Sequence, residues 1–252
     1  MFTIKDKIYF HYDGKYSGDF RIMAVETGGG MYEEQLMSER SLNETSPKNS
    51  SYTKLHGVEE GDREFELNLA FDGSFENGQL EDIVEWLFQD YYKPFYFEGQ
   101  SDRIMFGIIR GNSSIVHNGL KEGYLTVSVK TNSPYKYSRV KKKEIIGEKK
   151  HKIRVKGHKD TYPIYNIEKI GSGDIEIKNK GSNVKITNLN DKEKIYIDSM
   201  KEIIKTDIIG EYRYDNIVAG ELEELYLSPG MNEVQLIGDA KINIEYREIY
   251  RF

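Results

Sequence analysis

Apolar residues fall at every second position over most of this chain, and one stretch departs from that rhythm. Glu64 to Phe71, EFELNLAF, sets Phe65, Leu67, Leu69 and Phe71 on one side and Glu64, Glu66, Asn68 and Ala70 on the other. That alternation specifies a half-buried strand. Tyr124 to Lys130 repeats it, with Leu125, Val127 and Val129 against Thr126, Ser128 and Lys130. The departure is GQLEDIVEWLFQDYYK, Gly78 to Lys93. At 100° per residue Leu80, Ile83, Val84, Leu87 and Tyr91 share a stripe, Phe88 widens it, and Glu81, Asp82, Glu85 and Gln89 lie opposite, which predicts an amphipathic helix over 78–93. Asn77-Gly78 opens it and Lys93-Pro94 closes it. A lone helix among strands needs a sheet to cover, so the fold is expected to be mainly β with one helix. Trp86, at the stripe's margin, either packs on that sheet or anchors a neighbouring subunit.

Taken in order, the chain opens with a strand from Ile8, a turn at Asp13-Gly14 and a second strand through Phe20 and Ile22. Gly28-Gly29-Gly30 precedes neither a Gly-Lys-Ser/Thr sequence nor a helical pattern, so it lacks the helix N-terminus a phosphate loop requires. Met31 to Thr53 mixes Met, Tyr and Leu with many polar residues and ends in a Ser, Thr, Asn and Pro cluster, which reads as an extended arm. Further strands are expected at Pro94–Phe97, Arg103–Ile109 and Tyr124–Lys130. Ser133 to Glu144, SPYKYSRVKKKE, has no core pattern and is read as a domain boundary. Beyond it, short alternating strands recur at Lys152–Lys156, Ile175–Ile177, Val184–Ile186, Lys194–Ile197, Leu225–Leu227, Val234–Leu236 and Ile242–Tyr246. Their spacing predicts an antiparallel β-sandwich. The expected domains are therefore 1–140, with an arm at 31–53 and a helix at 78–93, and 141–252.

Charge adds a feature that the pattern does not show. The net charge of −6 divides into an acidic first part (residues 1–138, 14 Lys and Arg against 22 Asp and Glu), a basic joint (139–159, 10 against 2) and an acidic last part (160–252, 12 against 18). The joint is expected either to be a solvated face or to seat on acidic surface of its own or an adjacent subunit, with Lys141, Lys142 and Lys143 at its centre. No recognition helix accompanies it, so sequence-specific nucleic-acid binding is not expected.

Candidate chemistry is sparse. The chain has no cysteine. Its five histidines are scattered without metal-site spacing, and no Gly-x-Ser-x-Gly is present. No carboxylate stands in an apolar setting that would raise its pKa. We therefore expect no catalytic residue, no cofactor and no metal. The N-terminal residues do not form a signal peptide, and Ile104 to Ile109, the longest apolar run, is too short to cross a bilayer. A sugar-binding sandwich would need exposed aromatics on one face, for which Tyr212, Tyr214 and Tyr226 are the candidates.

Phe10-His11-Tyr12-Asp13-Gly14 with Ser17-Gly18-Asp19-Phe20, the helix carrying Trp86-Leu87 before Pro94-Phe95-Tyr96-Phe97, and Ser133-Pro134-Tyr135-Lys136-Tyr137-Ser138 together resemble the distal tail protein (Dit) family of long-tailed, non-contractile phages. Gly171-Ser172-Gly173, Asn188-Leu189 and Leu227-Ser228-Pro229-Gly230-Met231-Asn232 are similar to the sandwich that follows in that family. Arg21 departs from the glycine expected after Asp19-Phe20. The resemblance implies a non-catalytic structural hub in the virion tail tip. It implies a hexameric ring formed by a tube-like N-terminal domain, with galectin-like or carbohydrate-module-like C-terminal sandwiches outside. The implied partners are the tail tube protein, a tail-associated fibre or lysin protein and, in some phages, a receptor-binding protein. The resemblance also implies no membrane partner and a lumen through which DNA can pass. The alternative is a carbohydrate-binding module that attaches to the host cell wall through the C-terminal sandwich.

For the ring, the residues outside any core period are the expected contacts: Met31, Tyr32, Leu36, Met37 and Leu42 in the arm, and Trp86 on the helix. A closed ring repeats one heterologous contact until it meets itself.

Overall fold

Alternating aromatic and β-branched positions build two separate β cores. The computed structural model describes residues 8–25, 38–75, 77–117, 123–147 and 150–251. The chain divides into two units, residues 1–136 with 251–252, and residues 137–250.

The first unit runs β1 (Phe10–Tyr12), β2 (Lys15–Tyr16), β3 (Ile22–Val25), β4 (Arg40–Thr45), β5 (Lys54–Glu60), β6 (Glu64–Phe71), α1 (Asn77–Leu87), β7 (Lys93–Phe97), β8 (Met105–His117) and β9 (Gly123–Thr131). Seven strands form one antiparallel sheet in the order β2-β1-β7-β8-β9-β6-β3. A bridge from Ile8 to Ala24 ties the start of β1 back to β3, so the sheet curls onto itself around Phe10, Leu69, Phe95, Val127 and Val129. The β1–β2 turn works because Asp13 (φ 49°) and Gly14 (φ 76°) both adopt left-handed backbone, which matches the twist of a two-residue hairpin. The strand expected through Phe20 and Ile22 begins only at Ile22, because Ser17–Phe20 forms a 3-10 turn. Arg21 then takes the left-handed conformation itself (φ 54°), and its guanidinium donates to the Asp72 carbonyl at 2.7 Å.

The helix ends at Leu87, six residues short of the expected Lys93. Gln89 folds back to donate to the Glu85 carbonyl (2.8 Å) and the Trp86 carbonyl (3.0 Å), occupying two of the acceptors that a continuing helix would use. Lys93 is instead needed opposite Gly107, where β7 begins. The buried stripe is also rotated, consisting of Ile83, Trp86 and Leu87, while Val84, Phe88 and Tyr91 are exposed. Trp86 sits at its centre because the indole stacks on Phe20 at 4.2 Å and 7° and donates to the Tyr12 carbonyl at 2.8 Å.

The second unit contains β10 (Lys136–Tyr137, its first residue in the other unit), β11 (Lys141–Ile146), β12 (Lys150–Val155), β13 (Ile164–Lys169), β14 (Gly173–Asn179), β15 (Ser182–Leu189), β16 (Lys194–Asp198), β17 (Ile203–Thr206), β18 (Ile217–Ala219), β19 (Gly230–Ile237), β20 (Ala240–Tyr246) and β21 (Ile249–Tyr250). Two five-stranded antiparallel sheets, β11-β20-β13-β16-β17 and β12-β19-β14-β15-β18, share one core that includes Ile145, Val155, Ile167, Ile177, Leu236 and Ile244. Two expectations need correction here. The lysine run read as patternless forms the edge strand β11, with Ile145 turned inward and the cations on the rim. Leu225 to Leu227 is not a strand, because it follows a 3-10 turn at Leu222–Glu224 and makes only a single bridge, Leu227 to Thr161.

Candidate assembly surfaces

The first surface is the arm. Among the described residues β4 and β5 pair only with each other, and every residue of β4 is exposed. Their register places Leu42 opposite Val58 and Glu44 opposite Leu55, with a bulge on β5 absorbing His56. Residues opposite one another share a face, so Leu42, Val58 and Leu55 lie on one side together with Arg40, Glu44 and Glu60, and Ser41, Asn43 and Thr45 lie on the other. Leu42 is 57 % exposed, Leu55 53 % and Tyr52, at the tip, 70 %. An isolated two-stranded hairpin is marginal in water. Covering these half-exposed side chains would recover about 1 kcal/mol each. Leu42 therefore belongs to a group of three exposed apolar side chains, with Leu55 and Val58, on one side of the hairpin. Met31, Tyr32, Leu36 and Met37 lie outside the described residues.

The other anticipated contacts have different surroundings. Trp86 is 1 % exposed and spent on its own unit's core, which corresponds to the sheet-packing alternative. Lys141 reaches Glu248 and Lys142 reaches Glu245, each at 2.7 Å, so two of the three lysines meet acidic groups of their own chain. Glu248 is buried, which by itself pushes its carboxyl up. Bonds from Lys141, Tyr250 and the Lys156 amide outweigh burial and hold it below the usual carboxylate range. Lys143 is exposed opposite Ile244. Tyr212 and Tyr214 are exposed, whereas Tyr226 lies 6.1 Å from Tyr162, ring to ring.

The second unit also holds a buried ion pair that sequence reasoning missed. Glu193 accepts from Arg213 Nε at 2.7 Å and Nη2 at 3.0 Å, from the Thr206 hydroxyl at 2.7 Å and from the Asn190 amide at 2.9 Å. Burial pushes the Glu193 carboxyl up, but these bonds and the guanidinium charge prevail and keep it below its ordinary value. The cluster pins the segment 207–216 to the β16–β17 hairpin. Nothing in the local sequence distinguishes Glu193 from the many solvated carboxylates. Among the described residues no group of three His, Asp or Glu side chains is placed to hold a metal ion, and no helix is long and apolar enough to cross a membrane.

A family profile described as the phage tail protein N-terminal domain matches residues 5–133, just over half of the chain. The chain belongs to this phage tail protein family. It is 29 % identical over 254 residues to the SPbeta prophage-derived uncharacterized protein YomH of Bacillus subtilis strain 168, covering 98 % of this chain and 99 % of that one. The crystal structure of the Dit protein of phage SPP1, described as a paradigm of hub adsorption apparatus in phages infecting Gram-positive hosts, superposes with a TM-score of 0.71. Identity to it is 14 %, covering 95 % of this chain and 98 % of that one. A chain of the phage P2 baseplate, in its activated conformation with Ca, superposes at 0.52, with 9 % identity, 95 % of this chain and 97 % of that one being covered. At such identities the likeness is one of fold, and it extends over both units of the tail protein. The matched region of this family, 5–133, includes the arm and α1.

Proposed function

We propose that this tail protein is a structural hub at the distal end of a long non-contractile phage tail. Six copies close into a ring through their first units and join the tail tube to the tail-tip adsorption apparatus. The observation that carries this reading is the hairpin β4–β5, whose Leu42, Leu55 and Val58 share one side and are left uncovered by the described residues. A heterologous contact, in which the arm of one copy lies on the next, covers that face six times over and closes without self-complementarity. The partners follow from the position: a tube protein on one side, and a fibre or lysin protein, with a receptor-binding protein in some tails, on the other. The role requires no catalytic group. Negative-stain images of the purified protein test it, with rings bearing a central hole expected and uniform single particles contradicting it.

A second activity, attachment to glycan of the host cell wall through the second unit, is favoured by a groove on the outside of one of its sheets, lined by Tyr196 and by amide and charged side chains. The two roles are compatible, because they use different units.

A further inference from the structure

The outer face of β11-β20-β13-β16-β17 carries an open groove of about 430 Å³. Strand register assembles it. Lys205, Tyr196, Asn166 and Asn243 stand opposite one another in a single row across β17, β16, β13 and β20. The next row holds Lys194, Glu168 and Lys241, with Asp207 accepting from the Lys194 amide at 2.9 Å. Tyr196 is half-buried, and the side-chain amides of Asn166 and Asn243 make no hydrogen bond to any described residue.

Two properties define what such a groove can hold. The first is its charge. Lys241 is engaged by Glu144 at 2.9 Å, which leaves Lys194 and Lys205 against Glu168 and Asp207, an electrically balanced surface. A phosphate-rich polymer gains little from it, because each added anion meets as many carboxylates as ammonium groups. The second is its mixture of functions. An aromatic ring offers an apolar, polarisable face, while side-chain amides both donate and accept. A pyranose ring has the matching pair of features, an apolar face of C–H bonds and a rim of hydroxyls that each donate and accept.

The groove also has a fixed wall. Thr206 and Asp207 line it, and the Thr206 hydroxyl donates to Glu193, the carboxylate clamped by Arg213. Asp207 is thus held at the start of a segment anchored by a buried ion pair, so a ligand does not have to order that wall on arrival.

We propose that this groove binds a neutral glycan, with one sugar ring laid on Tyr196 and its hydroxyls bonded by Asn166, Asn243 and the carboxylates Glu168 and Asp207. The proposal rests on the glycan-attachment reading above and gives it a location and a ligand class.

The test uses the full chain with three soluble neutral probes, chitotetraose, cellohexaose and maltohexaose, and with polyphosphate as the anionic comparator, followed by saturation-transfer NMR and calorimetry. At least one neutral probe is expected to bind, with polyphosphate failing to compete at 0.15 M salt. Tyr196→Ala should weaken binding about tenfold or more. Asn166→Ala, an exposed position that leaves the core intact, should weaken it severalfold, and Lys152→Ala, on the edge strand of the opposite sheet, should not change it. Thermal melts establish that the variants are folded, and the Asn166 variant decides the outcome if Tyr196→Ala is not. Absence of binding by all three neutral probes overturns both the glycan reading and this site. Binding that survives both groove substitutions overturns the site alone. Binding of polyphosphate in preference to the sugars overturns the neutral ligand class.

Discussion

Replacing Arg213 by Met tests how far the buried ion pair holds the second unit together. Side-chain exposure is 7 % for Arg213 and 0 % for Glu193, and the two charges meet through two bonds of 2.7 and 3.0 Å. Removing the guanidinium leaves a carboxylate away from water with only Thr206 and Asn190 to solvate it, a change that typically costs about 3–5 kcal/mol. The unit spans residues 137–250, and for a domain of that size the loss corresponds to a fall in melting temperature of roughly 12–20 °C. Substituting Glu193→Leu in the same chain removes the stranded charge and should restore at least half of the loss, as expected where desolvation rather than attraction dominates. Calorimetry of the three proteins at pH 7 provides the measurement. A fall of less than about 4 °C for Arg213→Met, or no recovery in the double variant, would refute the assignment of Glu193 as a charge that depends on Arg213. Acid adds a second readout. Glu193 has a folded-state pKa below its unfolded value near 4.5. Its contribution is therefore complete above that pH and is lost as the pH falls through the folded value. The margin of the wild type over the double variant should accordingly shrink only below about pH 4.5.

Three further outcomes are expected. Trp86→Ala should destabilise the first unit by about 3–5 kcal/mol, while Trp86→Phe, which keeps a stacking ring but leaves the Tyr12 carbonyl without its donor, should cost about 1–3 kcal/mol; urea titration distinguishes the two. Gly220 has φ +70°, and a Cβ there would stand 2.2 Å from the Asn183 carbonyl oxygen, so Gly220→Ala should cost more than about 2 kcal/mol or abolish soluble expression. Lys143→Glu, which breaks neither Lys141–Glu248 nor Lys142–Glu245, should weaken assembly in a salt-sensitive way if the basic joint seats on a neighbouring copy; sedimentation that is identical at low and high salt removes that role.

Where alternation has a period of two and one face is buried, the sequence carries the structure almost residue by residue. β6 runs from Glu64 to Phe71 as its pattern specifies, with Leu67 and Leu69 inside. The helix was legible as an element but not in its phase or its end. Val84 and Leu80 have the right spacing, yet packing is decided by Trp86, whose ring fills the space between Phe10 and Phe20. The stop at Leu87 depends on a Gln89 side chain and on pairing across to Gly107, both tertiary facts. β11 was hidden because an edge strand needs only one buried residue in six, here Ile145, and can carry lysines elsewhere. The arm was visible as a stretch without a core period, but the face formed by Leu42, Leu55 and Val58 exists only once the hairpin register is set. The groove around Tyr196 was invisible for a similar reason. Its residues come from four strands spread between Ile164 and Tyr246, and each alone is an ordinary outward-facing position.

The central claim is that the hairpin arm drives assembly, and native mass spectrometry of the wild type beside Leu42→Ser/Leu55→Ser/Val58→Ser tests it most directly. These side chains are exposed in the single chain, so the triple variant should melt as the wild-type monomer does. The wild type should appear as a closed six-copy species and the variant as single chains. A wild type that stays single at tens of micromolar, or a variant that still forms the same ring, would contradict the account.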